Sequence, residues 1–363
     1  MYQRKSRRCC ALMLAVSICL RLCMLLGLDA KAAAWLTDLA AEPEFVRWML
    51  FLETGQAAPL EQEDPLPRLW ILRVEQEQPE AEEPAEEPPE EPEPAAVQPE
   101  PIKAQVIAPV SADKITVAGG CTYSYDKMSL LNRPSALDFS GDGPQILIVH
   151  THGTEAYTPE PGWEYDDLGG NRTLDAERSV IAVGQALVDT LESYGFSVIH
   201  DTAVNDYPSY NDSYWTTLSR IEQWQQQYPG LQMVIDIHRD AVEDAAGNAV
   251  ALSAQTGGTS CAKLMLVVGT DQGGLWHPNW QENLGNALKL QSVLEGAYPG
   301  LCRSLDLRTE RFNQHATPGS ILVEVGTNGN TLQQALRSAE LLGEGLAQTL
   351  LALQANGGTL QAP

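Results

Sequence analysis

The sequence is poor in positive charge. Its 23 Lys and Arg face 48 Asp and Glu, a formal net charge of −25. Phosphate contacts need a basic face, and none is visible, so a nucleic-acid partner is excluded. Cysteine is scarce where it would matter. Of seven, Cys9, Cys10, Cys19 and Cys23 fall in an N-terminal apolar stretch, leaving only Cys121, Cys261 and Cys302. That set is no disulfide framework and holds no CxxC pair for a thiolate zinc site, though it leaves room for one bridge such as Cys261 to Cys302. No G-x-S-x-G elbow, P-loop or G-x-G-x-x-G occurs, which removes the usual signs of serine hydrolysis and nucleotide binding. Internal repeats are absent, and Cys261 and Cys302 have no obvious catalytic base as partner in the sequence, so thiol catalysis is not expected.

What is present divides the chain. Arg4, Lys5, Arg7 and Arg8 precede an apolar run from Cys9 to Leu28, broken only by Ser17 and Arg21. Twenty residues at ~1.5 Å each match a ~30 Å hydrocarbon layer. The basic flank keeps the N-terminus cytoplasmic and predicts export of the rest. Residues 1–32 therefore read as a basic tail and transmembrane anchor, with a cleaved signal ending at Ala30-Lys31-Ala32 as the rival reading. Residues 33–74 read as a juxtamembrane helical segment. Residues 75–104 alternate proline and glutamate, which resists packing and gives a disordered, extended spacer. Residues 105–356 read as one globular catalytic domain.

In that domain, apolar runs alternate with amphipathic stretches. Strands are expected at 145–150, 196–200, 231–238, 263–269 and 320–325. Helices are expected at 176–194, 213–228, 279–297 and 332–353. Such alternation predicts an α/β fold, a mostly parallel, doubly wound sheet flanked by helices.

Sites in open parallel sheets form outside the carboxyl ends of the strands. Three expected strands end in chemistry: His150-Thr-His152-Gly-Thr-Glu155, Asp236-Ile-His238-Arg239-Asp240, and Glu324 before Val-Gly326. Two imidazoles and a carboxylate with an open fourth position suit a catalytic zinc. His152 and His238 are the expected ligands. Glu155, at H-x-x-E spacing, is the third, with Asp175 or Glu177 as alternatives. Glu324 is the expected general base and acid, since a carboxylate in a buried strand is costly unless paired or functional. Asp236 or Asp240 would fix a histidine tautomer from behind, with His150 beside them. Arg239 would hold a substrate carboxylate or a developing oxyanion. His150 and His200 are expected to serve packing or hydrogen bonding, and His277 and His315 to lie solvated in loops. Two polar-aromatic loops, with Tyr210 and Asn211 in one and Asn313 and Gln314 in the other, are expected to face substrate.

These residues resemble the stage II sporulation protein P family, relatives of zinc N-acetylmuramoyl-L-alanine amidases. ILIVHTHGTEAYTP, VIHDTAVNDYPSYNDSY, VIDIHRDAV, KLMLVVGTD, RFNQ and SILVEVGTNGNTLQQAL carry the resemblance, in order, over nearly all of residues 145–345. It implies an amidase-like zinc fold with His152 and His238 as ligands and Glu324 as the catalytic glutamate. It implies removal of stem peptides from glycan strands, with cleavage of peptide cross-links too. It further implies a membrane-anchored enzyme on the mother-cell side of the septum or forespore, working beside sporulation proteins D and M during engulfment. Two other readings remain open: a non-catalytic murein-binding module, and a zinc carboxypeptidase.

Overall fold

A computed structural model describes residues 108–360. The expected anchor, juxtamembrane segment and spacer lie outside the described residues. Among the described residues, no helix is long and apolar enough to cross a membrane.

The sheet is built from short apolar segments that cannot face water on either side. β1 (Val117–Ala118) is followed by helix α1 (Lys127–Asn132), β2 (Ile146–Val149), α2 (Val180–Ser193), β3 (Val198–His200), α3 (Ser213–Gln227) and β4 (Met233–Asp240). A hairpin, β5 (Ser253–Thr256) and β6 (Thr259–Ala262), comes next, then β7 (Leu264–Val268), α4 (Trp280–Ala297), β8 (Leu305–Leu307), β9 (Ile321–Thr327) and α5 (Leu332–Ala355). Seven strands form one sheet in the order β1-β8-β7-β9-β4-β2-β3, and β5-β6 stand apart. Every neighbouring pair in the large sheet is parallel except β7 and β9, which run antiparallel.

Helices cover both faces. On one side Ile146 and Ile148 of β2 join Val183 and Leu187 of α2 and Leu346 of α5 in the main core. On the other side Leu147 and Val149 pack with Ile221 of α3 and Val234 of β4. All four residues of β2 are buried, as expected for a strand inside a two-faced parallel sheet. Helix α2 starts at Ser179, whose hydroxyl accepts from the Ile181 N–H, and stops before Gly195 at φ 88°. Helix α5 opens on a capping box between Thr331 and Gln334.

The pairing of β4 with β9 positions the site. His238 lies opposite Glu324, but the next pair is Asp240 with Thr327, so β9 carries one extra residue there. Gly326 takes up this bulge at φ 76°, where a Cβ would stand 2.7 Å from Ala262 Cβ. The glycine of LVEVG is thus needed for the strand to bend just past Glu324.

The sheet is mixed rather than uniformly parallel. β1, β8 and the β5–β6 hairpin join the expected strands. Cys121, Cys261 and Cys302 are all free, so the Cys261–Cys302 bridge does not form.

Candidate functional site

β2, β4 and β9 lie side by side and parallel, so their carboxyl ends share one edge. Past β2, the Glu155 N–H donates to the His152 carbonyl at 3.0 Å. This turn returns the Glu155 carboxylate toward the sheet. Its Oε2 stands 3.5 Å from His238 Nδ1 and accepts from the Arg239 N–H at 3.1 Å. The His152 and His238 rings meet edge to face, 5.3 Å between centroids. Glu324 occupies the paired position beside His238 on the next strand. The structure thus brings His152, Glu155, His238 and Glu324 to one place.

Supporting groups surround them. Asp236 accepts from the Thr151 N–H and hydroxyl at 2.8 and 2.6 Å, and its Oδ1 is 3.0 Å from His238 Nε2. That approach has an ion-pair distance but lacks hydrogen-bond alignment, so Nε2 has no hydrogen-bond partner. His152 Nδ1 and Glu324 Oε2 are likewise buried without one. Unpaired buried polar atoms are rare because each forfeits its hydration. His238 Nε2 faces Asp236, but the unpaired His152 Nδ1 and Glu324 Oε2 mark a site held open for something. Among the described residues, no group of three or more His, Cys, Asp or Glu side chains is spaced, as placed, to hold a metal ion.

The charges are arranged unevenly. Burial acts to raise the Glu155 carboxyl, but its bond to His238 and the charges of His238, Arg239 and His152 hold it well below its usual range. Burial acts to lower His238, yet Asp236 and Glu155 lift it well above the ordinary imidazole value. Glu324 goes the other way. Burial pushes its carboxyl up to about 8, with Glu155 and Asp240 adding to the rise and His238 and Arg239 opposing it. Two carboxylates pushed apart by their surroundings divide into a permanent anion and a group able to carry a proton.

Other expected residues are placed differently. The Arg239 guanidinium donates to the carbonyls of Ala156, Gly170 and Asn171 at 2.9 to 3.0 Å. Those bonds commit it to tying loops together, so it has no oxyanion role as placed. Asp240 pairs with Arg303 at 2.7 Å instead of backing a histidine. Asp175 and Glu177 are exposed, and Asp175 caps the Glu177 N–H, so neither faces the imidazoles. His150 turns from the site, with Nε2 2.9 Å from His200 Nε2. Gln314 spends its amide on Gly269 N–H and the Val267 carbonyl, and Asn313 donates to the Tyr214 carbonyl. Asn211 is exposed. Tyr210 does face the site: its ring stacks on His152 at 4.4 Å, 4° from parallel. His277, expected in solvent, is fully buried, and both ring nitrogens lack partners.

Three further residues line the site. Asp206 lies 3.8 Å from His152 Nδ1 and accepts from Thr154 and Arg172. Arg172 also covers the Tyr210 ring at 4.9 Å. Tyr214 meets His152 edge to face at 5.6 Å. Asp206 and Tyr214 bound the polar-aromatic segment DYPSYNDSY that holds Tyr210 and Asn211, and that was readable as substrate-facing. Nothing near Arg172 in the sequence points to the site.

The stage II sporulation protein P family model matches residues 59–347. This chain belongs to that family. It is similar to stage II sporulation protein P of Bacillus subtilis (strain 168), 28% identical over 215 residues, or 55% of this chain and 49% of that protein. The match thus spans about half the length of that relative. Among solved structures, the N-acetylmuramoyl-L-alanine amidase AmiC2 of Nostoc punctiforme overlaps 60% of this chain and 100% of its own, at 12% identity and TM-score 0.36. The CwlD amidase of Clostridioides difficile, in complex with the GerS lipoprotein, overlaps 58% of this chain and 98% of its own, at 11% identity and TM-score 0.34. At these scores the likenesses carry nothing about the reaction.

Proposed function

We propose that this chain is a zinc-dependent peptidoglycan hydrolase that cleaves the N-acetylmuramoyl–L-alanine amide. The observation that carries the reading is the convergence of two buried imidazoles and Glu155 with the raised-pKa Glu324 on one strand edge.

The donor types suit the ion, although their side chains would have to draw together to close around it. Tetrahedral zinc with bonds of ~2.0–2.1 Å puts neighbouring ligand atoms ~3.3 Å apart. His238 Nδ1 and Glu155 Oε2 are 3.5 Å apart, and His152 Nδ1 is buried with no partner. His152, Glu155 and His238 would hold zinc, and Asp236 behind His238 Nε2 would orient that ring. When bound, zinc would polarise the amide carbonyl, acidify a water toward pKa ~7 and favour ionised Glu324. Glu324 then takes the proton of the attacking water and passes it to the leaving alanine amine. Tyr210 and Tyr214 shield one side of His152 from solvent, and Arg172 with Asp206 holds that wall.

The wider reading has a membrane anchor at 1–32, an extracytoplasmic domain on the mother-cell side, activity on peptide cross-links as well, and sporulation proteins D and M as partners. Zinc analysis of the purified protein and mass spectrometry of digested sacculi test its core. Bound zinc and released stem peptides, lost in Glu324→Ala with zinc retained, support it. Absent zinc with murein bound but intact would leave the non-catalytic module. Free terminal amino acids without peptide-free glycan would leave the carboxypeptidase.

A further inference from the structure

Beside the site, a groove of about 460 Å³ runs between the start of α3 and the loop after β8. Tyr214, Trp215, Leu218, Leu275, Arg311 and Phe312 line it. Tyr214 links it to the site, since its ring meets His152 at 5.6 Å and Phe312 at 5.9 Å. Trp215 and Leu275 stand exposed on the rim. The walls are mostly apolar, with Thr309, Glu310 and Asn313 among them, and carry one unusual charge.

Every arginine among the described residues has an ion-pair partner except Arg133 and Arg311. Arg311 donates from Nη1 to the Trp276 carbonyl at 3.2 Å, and its Nε is buried without a partner. The carboxylate in the lining, Glu310, is drawn to Arg308 at 3.5 Å. Nearby His277 and His315 add no charge at neutral pH, because burial, with Arg311 adding, pushes both down to about 4. In a chain of net charge −25, an arginine left uncompensated next to a reaction site is complementary to an anion on the substrate. A neutral sugar could use the aromatic walls but would leave the guanidinium unanswered. The leaving side of the amide is a peptide that starts with alanine and carries free carboxylates, which matches small apolar walls plus one cation.

We propose that this groove seats the peptide leaving group, with a peptide carboxylate on Arg311 and its first residues against Tyr214, Leu218 and Phe312. This rests on the hydrolase reading for the identity of the peptide. The groove makes Arg311 a specificity-determining residue rather than a catalytic one.

The test is binding of the free stem tripeptide to the full chain by calorimetry, which needs no turnover. The peptide and its carboxyl-amidated form are each measured with wild type and Arg311→Gln, the peptide also with Arg311→Lys, and peptide-free glycan with wild type and Trp215→Ala. The expected result is peptide binding weakened about tenfold or more by Arg311→Gln and by amidation. Amidated peptide should bind the variant and wild type alike, which shows that the groove still folds, and Arg311→Lys should recover part of the loss. Equal peptide binding by wild type and Arg311→Gln overturns the proposal, as does glycan binding that depends on Trp215 with no peptide binding. If the peptide binds through Arg311 but sacculi stay uncut, the hydrolase reading fails and the groove stands. If sacculi are cut and Arg311→Gln changes nothing, only the groove fails.

Discussion

Two histidine pairs lie at the ends of neighbouring strands, and they are treated in opposite ways. His150 and His200 satisfy each other, ring nitrogen to ring nitrogen at 2.9 Å, while His150 Nδ1 meets the Ile237 carbonyl and His200 Nδ1 meets Gln185. Gly184 of α2 lies so close that a Cβ there would come within 2.6 Å of His150. His152, two residues past His150, keeps Nδ1 buried with no hydrogen-bond partner, and His238, inside β4, turns Nδ1 toward Glu155 at 3.5 Å. The first pair closes the fold, and the second is left open to a ligand. Residue type alone does not separate them. The side of the strand end on which each ring falls does, because one side meets helix α2 and the other meets the strand-end acids.

Substitutions can sharpen or break this contrast. The largest effect belongs to Glu324→Gln, which should lower kcat on murein by about 10²–10⁴-fold. Zinc content and melting temperature should stay unchanged, and loss of zinc would make Glu324 a ligand instead. Asp236→Asn should weaken zinc binding about 10–100-fold, read by competition with a chromophoric chelator. The paired experiment is His152→Ala against His150→Ala. The first should abolish zinc binding with little loss of stability. The second should retain zinc but cost about 2–4 kcal/mol in denaturant unfolding, from the cavity and the stranded His200 nitrogen. If both lose zinc equally, the contrast between the pairs is gone. Gly184→Ala should cost about 1–3 kcal/mol by forcing α2 away from His150.

The smallest effect is one of pH. Burial pushes His200 down to about 4, below its unfolded value of ~6.5. The unfolded chain then binds the extra proton between those values. Stability from this group is full above pH ~6.5 and falls as pH drops toward about 4. A His200→Gln variant should show a flatter melting temperature over that range than wild type.

Much of the frame was legible because the physics that makes it is local. ILIV, MVIDI and LMLVV are continuous apolar runs that only a buried strand or helix can use, and their lengths favour strands. The helices carry apolar stripes and visible caps. The 2-residue β1 and 3-residue β8 have too few residues to show a period, and Ser253–Thr256 is polar. The antiparallel run of β7 against β9 depends on how the chain returns, which no local pattern records. In the site, acids and imidazoles at strand ends were readable through the parallel-sheet rule. The work of Arg239 was not, because three carbonyls distant in sequence claim it. Nor was the burial of His277, which tertiary packing imposes on an otherwise polar loop.

The central claim is that His152, Glu155 and His238 together bind one zinc ion opposite Glu324. An anomalous difference map collected at the zinc edge from zinc-loaded crystals tests it most directly. The expected result is a single strong peak ~2.0–2.2 Å from donor atoms of all three residues. No peak at that strand edge, or a peak that excludes Glu155, would contradict it.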